Sequence, residues 1–337
     1  MSKRFLAAAC AAATALALSA CSSAPSSEGN ASKDGTLTVM ASFYPLQYLA
    51  EKIGGEHVTV TSLTPAGAEP HDLELSPKTV DALASADAVV YLAGFQAAVD
   101  EAIEQQAPTT VIDVSPAVEL VEANSSANHP SEDEDADEAQ SGESATEEHA
   151  DHDHEGHDHE GHHHDMSADP HFWLDPVRMA SAATLVGDKL AEADPANADT
   201  YTANAKALNE ELSALGDDLV AKTATCQIKT FVTAHTAFGY LADRTGLTQV
   251  GISGLDPDSS PSPARLAEIS QIAKDQGVTT IFTEALIDPK VAQTLADDLG
   301  ISTAVLDPIE SQTDSSKDYA AVMKDNITAL TTANNCQ

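Results

Sequence analysis

Ala88-Val89-Val90-Tyr91-Leu92 is an unbroken apolar run between two helical patterns, Lys78–Ala84 and Gln96–Glu104. A strand that is apolar on both faces and flanked by helices belongs inside a parallel sheet covered by those helices. The flanking chain repeats the unit. Thr36-Leu37-Thr38-Val39-Met40 reads as a strand before the helical segment Leu46–Ile53, His57–Thr61 is an alternating β-branched strand, and Thr109–Asp113 closes the first half. Strands alternating with helices imply βα units. Beyond Asp175 the pattern turns helical, with Pro176–Ala193 followed by a segment from Pro195 to about Ala224. In the latter, Tyr201, Leu208, Leu212, Leu215 and Leu219 recur near helical spacing. Thirty helical residues would span about 45 Å, enough to run along two lobes. The βα rhythm then returns with strands at 229–234, 248–252, 278–283 and 303–306, and helices at 236–245, 263–275 and 289–299. The expected fold is α/β: two Rossmann-like lobes, 36–194 and 225–337, joined by a long rigid helix at 195–224, with a cleft between them.

The first residues fit an export signal. Lys3 and Arg4 precede the apolar stretch Phe5–Leu18, which at about 14 residues is too short for a permanent membrane span. Leu18-Ser19-Ala20-Cys21 resembles a bacterial lipobox, so 1–20 is read as a lipoprotein signal peptide. Cys21 is then the lipidated residue, and 21–35 a flexible leash on the outer face of the bacterial cell membrane. The anchor is the only membrane attachment expected. Cys10 leaves with the signal, so Cys226 and Cys336 remain, and in an oxidising compartment two thiols suggest one disulfide.

The chain carries 54 acidic against 16 basic residues, a net charge of −38. Nucleic acid is excluded as a partner, because phosphate binding needs a basic stripe. The excess is concentrated: 15 acids and nine histidines fall between His129 and Asp165, and no Lys or Arg occurs between Lys78 and Arg178. The segment 122–168 has one apolar residue larger than Ala, Met166, and is read as a disordered insertion. Within it His149, His152, His154, His157, His159, His162, His163 and His164 alternate with carboxylates, a composition that collects first-row dications. The His159-Glu160-Gly161-His162-His163 match to a zinc-protease helix lies in this Gly-interrupted tract and is read as chance.

Four histidines lie elsewhere. His57 opens a strand beside Glu56 and is read as structural or solvated. His71 lies in a Pro- and Gly-rich loop after a strand, His171 just before a helix, and His235 at the end of Phe231–Ala234. Ligands of open parallel sheets bind at the carboxyl ends of strands, so these three converge on one site.

Pro70-His71-Asp72, Asp169-Pro170-His171-Phe172-Trp173-Leu174-Asp175-Pro176 and Thr233-Ala234-His235 resemble the metal-binding solute receptors of bacterial ABC importers. The His-rich insertion before the second site histidine places the resemblance with the high-affinity zinc-uptake group. It covers nearly all of the chain from about Leu37 onward. The resemblance implies His71, His171 and His235 as ligands, with Asp307 at the fourth position. Glu69 or water is an alternative fourth ligand. Glu284 is either a carboxylate behind a ligand or one at a helix N-terminus. Manganese-binding relatives usually carry glutamate where His235 stands. Three nitrogens with at most one carboxylate suit tetrahedral zinc, whereas manganese favours more oxygen. The implied function is capture of Zn2+, as transported ligand, and delivery to a membrane permease and through it to a cytoplasmic ATPase. The receptor is expected to act as a monomer and not as an enzyme. Alternatives are a receptor for manganese or another dication, or a surface metal-storage or adhesin lipoprotein.

Overall fold

The strands are three to five residues long, and each pairs in parallel with its neighbours in the computed structural model, which describes residues 36–123 and 168–337. In the first sheet β1 (Leu37–Ala41), β2 (Val58–Ser62), β3 (Ala88–Tyr91) and β4 (Val111–Asp113) lie in the order β2-β1-β3-β4. The second repeats that order as β6-β5-β7-β8, from β5 (Thr230–Thr233), β6 (Thr248–Gly251), β7 (Thr280–Thr283) and β8 (Ser302–Val305). The central strands carry the apolar runs because helices cover both faces: Ala88, Val89 and Val90 are fully buried. In each sheet the strand order reverses beside the first strand, between β1 and β3 and between β5 and β7. Such a reversal leaves a crevice at the carboxyl ends of the strands.

The covering helices of the first lobe are α1 (Tyr44–Gly54), α2 (Pro77–Leu83), α3 (Ala97–Gln106) and the short α4 (Ser115–Val118). Next come α5 (Pro176–Ala193) and α6 (Ala198–Thr223), then α7 (Gly239–Thr245), α8 (Pro263–Gln276), α9 (Lys290–Leu299) and α10 (Tyr319–Ala333). Three helices open on a capping residue followed by proline. Ser76, Asp175 and Ser262 accept from the N–H groups of Thr79, Val177 and Arg265, and the next proline has no N–H to leave unpaired.

The linking helix α6 has 26 residues, about 39 Å at 1.5 Å per residue. It starts later than the sequence pattern suggests because Asp194 builds a separate turn, accepting from Asn197 Nδ2 at 2.7 Å and Tyr201 Oη at 2.9 Å. α6 lies along α5 and also touches α1, α7 and α10. The α5–α6 approach depends on Gly187, where a Cβ would sit 2.3 Å from Ala205 Cβ. The largest cluster of buried side chains is shared by the two lobes, running from Val39 and Leu46 through Trp173 and Leu212 to Phe231, Phe282 and Tyr319. Smaller clusters lie under α2 and α3 and under α8 and α9.

Cys226 and Cys336 form a disulfide that ties the chain's end to the start of the second lobe. The helix expected from Thr236 begins instead at Gly239, because Thr236 N–H and Oγ1 donate to Gly254 O and Ser253 O. Glu122 and Ala168 form an antiparallel bridge, which brings together the two described ends of the expected insertion. The signal, the leash with Cys21, and the insertion histidines His149, His152, His154, His157, His159, His162, His163 and His164 lie outside the described residues. Among the described residues no helix is long and apolar enough to cross a membrane.

Candidate metal centre

Four side chains meet where the carboxyl ends of both sheets face each other. They are His71 on the loop after β2, His171 at the entrance to α5, His235 after β5, and Glu310 on the loop after β8. Their ligand atoms all lie within 4.8 Å of one another. Glu310 Oε1 is 3.5 Å from His71 Nε2, 3.2 Å from His171 Nε2 and 3.4 Å from His235 Nε2. The Nε2 atoms of His171 and His71 are 3.3 Å apart. A tetrahedral zinc ion with bonds of about 2.0–2.1 Å requires ligand–ligand edges of about 3.3 Å. His235 Nε2 and Glu310 Oε1 are buried without a well-directed hydrogen-bond partner. Buried polar atoms are almost always satisfied, so an orphaned pair aimed at one point marks a place for a cation.

Each histidine is oriented from behind. His171 Nδ1 is 2.8 Å from Asp169 Oδ1, and His235 Nδ1 is 2.8 and 2.7 Å from the two oxygens of Glu284. A carboxylate accepts, so Nδ1 carries the proton and Nε2 is left to face the site, the arrangement that raises ligand basicity in metal–histidine–carboxylate triads. His235 and Glu284 stand on either side of the β5/β7 reversal, where Thr233 is in register with Phe282. His71 is held edge-on by Phe95, with ring centroids 4.9 Å apart.

The electrostatics follow from this packing. Burial alone would lower the His235 pKa, but the attraction of Glu284 and Glu310 prevails and raises it to about 10. His171 is likewise raised, by Asp169 and Glu310 acting against burial. Burial would raise the Glu310 carboxyl, yet His171, His235 and His71 hold it well below the usual range.

The motif 169–176 joins the lobes. Trp173 Nε1 donates to Pro308 O at 2.7 Å, Tyr240 Oη to Asp169 O at 2.7 Å, and Tyr319 Oη to Trp173 O. Asp175 caps α5 and pairs with Arg244 of α7 through both carboxylate oxygens.

Two carboxylates considered from sequence are engaged elsewhere. Glu69 accepts the backbone N–H groups of His71, at 3.0 Å, and Asp72, and so shapes the loop that carries His71. Asp307 is not in the group of four. Its Oδ1 accepts Ile309 N–H at 2.8 Å, and its backbone is bound on both sides by Asn326. The resulting turn holds Ile309 at φ 57° and delivers Glu310, three residues later, to the cluster. A β-branched residue in the left-handed region is strained, and strain of this kind gathers at functional sites. The sequence reading did not single out Glu310, and the nearest signal to it is Asp307-Pro308. Asp before Pro initiates a turn in which the Asp side chain bonds its own backbone, leaving the next carboxylate free. His57 stands edge-on to Tyr201, ring centroids 6.2 Å apart, and is not in the group of four.

The family model described as zinc-uptake complex component A, periplasmic (ZnuA), matches residues 39–333. The chain belongs to the ZnuA family. It is 33% identical over 312 residues to the zinc-binding protein AdcA of Streptococcus pyogenes serotype M3, covering 88% of this chain and 56% of that one. The chain thus spans about half the length of the first curated relatives it matches. It is 33% identical over 323 residues to the high-affinity zinc uptake system protein ZnuA of Bacillus subtilis, covering 94% and 93% of the two chains. Among solved structures, the Zn(II)-bound ZnuA-like domain of Streptococcus pneumoniae AdcA aligns with a TM-score of 0.68 at 28% identity, covering 89% of this chain and 100% of that one. The two-lobed parallel-sheet architecture expected from the sequence is the fold of these ZnuA-like structures. The family is one of solute receptors for metal transport and not an enzyme class.

Proposed function

We propose that this chain captures Zn2+ outside the cytoplasm and delivers it to an ABC permease, with His71, His171, His235 and Glu310 as the ligands. The observation that carries the reading is the donor set itself: three imidazole Nε2 atoms and one carboxylate oxygen, from both lobes, all within 4.8 Å of one another, with the three distances to Glu310 and the one between His71 and His171 at 3.2–3.5 Å, the edge length of a zinc tetrahedron. Three nitrogens with one oxygen favour zinc over manganese. Glu310 takes the place considered for Asp307 or Glu69, and Asp169 and Glu284 orient ligands. Residues 36–194 and 225–337 act as two jaws on the strut 195–224. The insertion histidines collect zinc near the cleft, lipid on Cys21 holds the monomeric receptor at the membrane, and a permease with its ATPase receives the metal. The AdcA and ZnuA relatives, named as zinc-binding and zinc-uptake proteins, support the same assignment.

The test is to purify residues 22–337 and the same chain lacking 129–165, and to titrate both with zinc and manganese under chelator competition. One tight zinc site in both proteins, with manganese weak, is the expected outcome. Loss of tight binding together with the insertion would overturn the cleft assignment and leave a surface metal store.

A further inference from the structure

Two buried glutamines, one per lobe, make the same set of hydrogen bonds behind the site. Gln96 follows β3 and donates through Nε2 to Thr64 Oγ1 at 3.0 Å and to Pro70 O at 3.1 Å. Gln249 lies within β6 and donates through Nε2 to Thr233 Oγ1 at 2.9 Å and to His235 O at 3.1 Å. In both lobes the threonine hydroxyl has already given its proton to a main-chain carbonyl, Ser42 O for Thr64 and His235 O for Thr233. Each threonine oxygen is therefore limited to accepting, as is each carbonyl, and the remaining position calls for a group with two N–H donors. A carboxamide supplies them; a carboxylate, a hydroxyl or a hydrocarbon does not.

The opposite end of each side chain has a cost. Gln96 Oε1 and Gln249 Oε1 are both buried with no hydrogen-bond partner. An unsatisfied buried acceptor is unfavourable, so the donor end must have a use that outweighs it. That use is visible in what the two amides grip. The Pro70 carbonyl belongs to the peptide that leads into His71, while the His71 N–H is held by Glu69. The His235 carbonyl is held by Gln249 and Thr233, while the His235 N–H is held by Glu284 at 3.1 Å. Each ligand's backbone is thus held by one glutamate and one glutamine: at His71 they grip the two ends of the Pro70–His71 peptide, and at His235 they grip the residue's own N–H and its own carbonyl.

We propose that Gln96 and Gln249 are positioning residues that set the separation and tilt of the His71 and His235 imidazoles across the cleft. In doing so they set the zinc preference of the site. This rests on the reading of the site as a zinc site. The present rings, with centroids 6.1 Å apart at an interplanar angle of 89°, are the geometry that the two clamps hold.

The experiment uses residues 22–337 carrying Gln96→Met or Gln249→Met. Methionine matches glutamine in length and has no N–H. Zinc and manganese affinities are measured by chelator competition, the visible d–d spectrum of the Co2+-loaded protein reports donor geometry, and the melting temperature of metal-free protein reports structure alone. Each variant is expected to bind zinc about tenfold or more weakly, the range typical for residues that support metal ligands. The cobalt bands should change in position and intensity, and the zinc-to-manganese affinity ratio should narrow. A lower metal-free melting temperature with parental zinc affinity and cobalt spectrum would overturn the inference, leaving both residues merely structural. Should a methionine variant not fold, the asparagine variant at the same position carries the same expectations, because it keeps the amide but withdraws it by one methylene. A parent protein without a tight zinc site would refute the functional reading and this inference with it. A parent with such a site, unchanged in the variants, refutes this inference alone.

Discussion

Glu310→Gln and Asp307→Asn separate the two carboxylates of the loop after β8 by role. Glu310 Oε1 stands 3.2–3.5 Å from three imidazole nitrogens and is fully enclosed, so Glu310→Gln removes the one negative charge that faces the metal. Breaking a buried charge pair by removing one partner costs about 3–5 kcal/mol. Part of this is returned, because the same carboxylate raises the pKa of His171 and His235 and so strengthens the protons that compete with zinc. The net loss is then about 2–4 kcal/mol, or about 30- to 700-fold in zinc affinity at neutral pH. Asp307→Asn keeps the oxygen that accepts Ile309 N–H, so the turn survives and affinity should change by less than about threefold. Asp307→Ala removes that acceptor. The lost hydrogen bond of about 0.5–1.5 kcal/mol, together with relaxation of Ile309 from its left-handed conformation, lets Glu310 drift and should weaken binding about 3- to 10-fold. Chelator-competition titration of the three variants gives the ranking. Equal losses in Asp307→Asn and Glu310→Gln would refute the reasoning, since they would make the Asp307 charge itself a ligand.

Zinc affinity is expected to fall at least about a hundredfold between pH 7.5 and 5.5, because one or more protons must leave Nε2 atoms for each ion bound; competition titration at the two values checks this. For the metal-free protein the sign is fixed by the same groups. The folded His235 pKa of about 10 lies above its unfolded value of about 6.5, so its contribution to stability is complete below the unfolded value and is lost as pH rises through 10, which denaturant melts between pH 6 and 10 can follow. Reduction of Cys226–Cys336, 110 residues apart, should remove up to about 5 kcal/mol in the chain-entropy model and lower the melting temperature by about 10–20 °C in scanning calorimetry. Trp173, the chain's single tryptophan, is fully buried with its ring 5.2 Å from that of His171, so its fluorescence should report metal entry directly. Trp173→Phe loses the bond to Pro308 O and should weaken zinc binding by about 1 kcal/mol, or about fivefold.

The strands of both lobes, the long helix and the three histidines were legible because each rests on a local signal: an apolar run, a 3.6-residue period, a histidine on a loop after a strand, or, for His171, the motif 169–176 at a helix entrance. Glu310 was not, since its placement depends on Asp307 turning inward to its own backbone, a choice among carboxylates that spacing does not encode. The start of α7 was missed for a similar reason. Thr236 has an ordinary helical neighbourhood in sequence, but its backbone and hydroxyl are drawn to Gly254 and Ser253, which lie far along the chain. Gln96 and Gln249 carry no sequence signal at all; their significance comes from which carbonyls lie within reach after folding.

The buried cluster common to both lobes has a consequence for engineering. Residues as far apart as Leu46, Trp173, Leu212, Phe231 and Tyr319 belong to one packed interior, so although each half has a smaller cluster of its own, the largest is shared between them. Exchanging one lobe for that of a paralogue would place two unrelated halves of a jigsaw in contact, and a hybrid cut within α6 should misfold unless its seam is repacked. New specificities are therefore more accessible by rebuilding the loops at the strand ends than by shuffling halves.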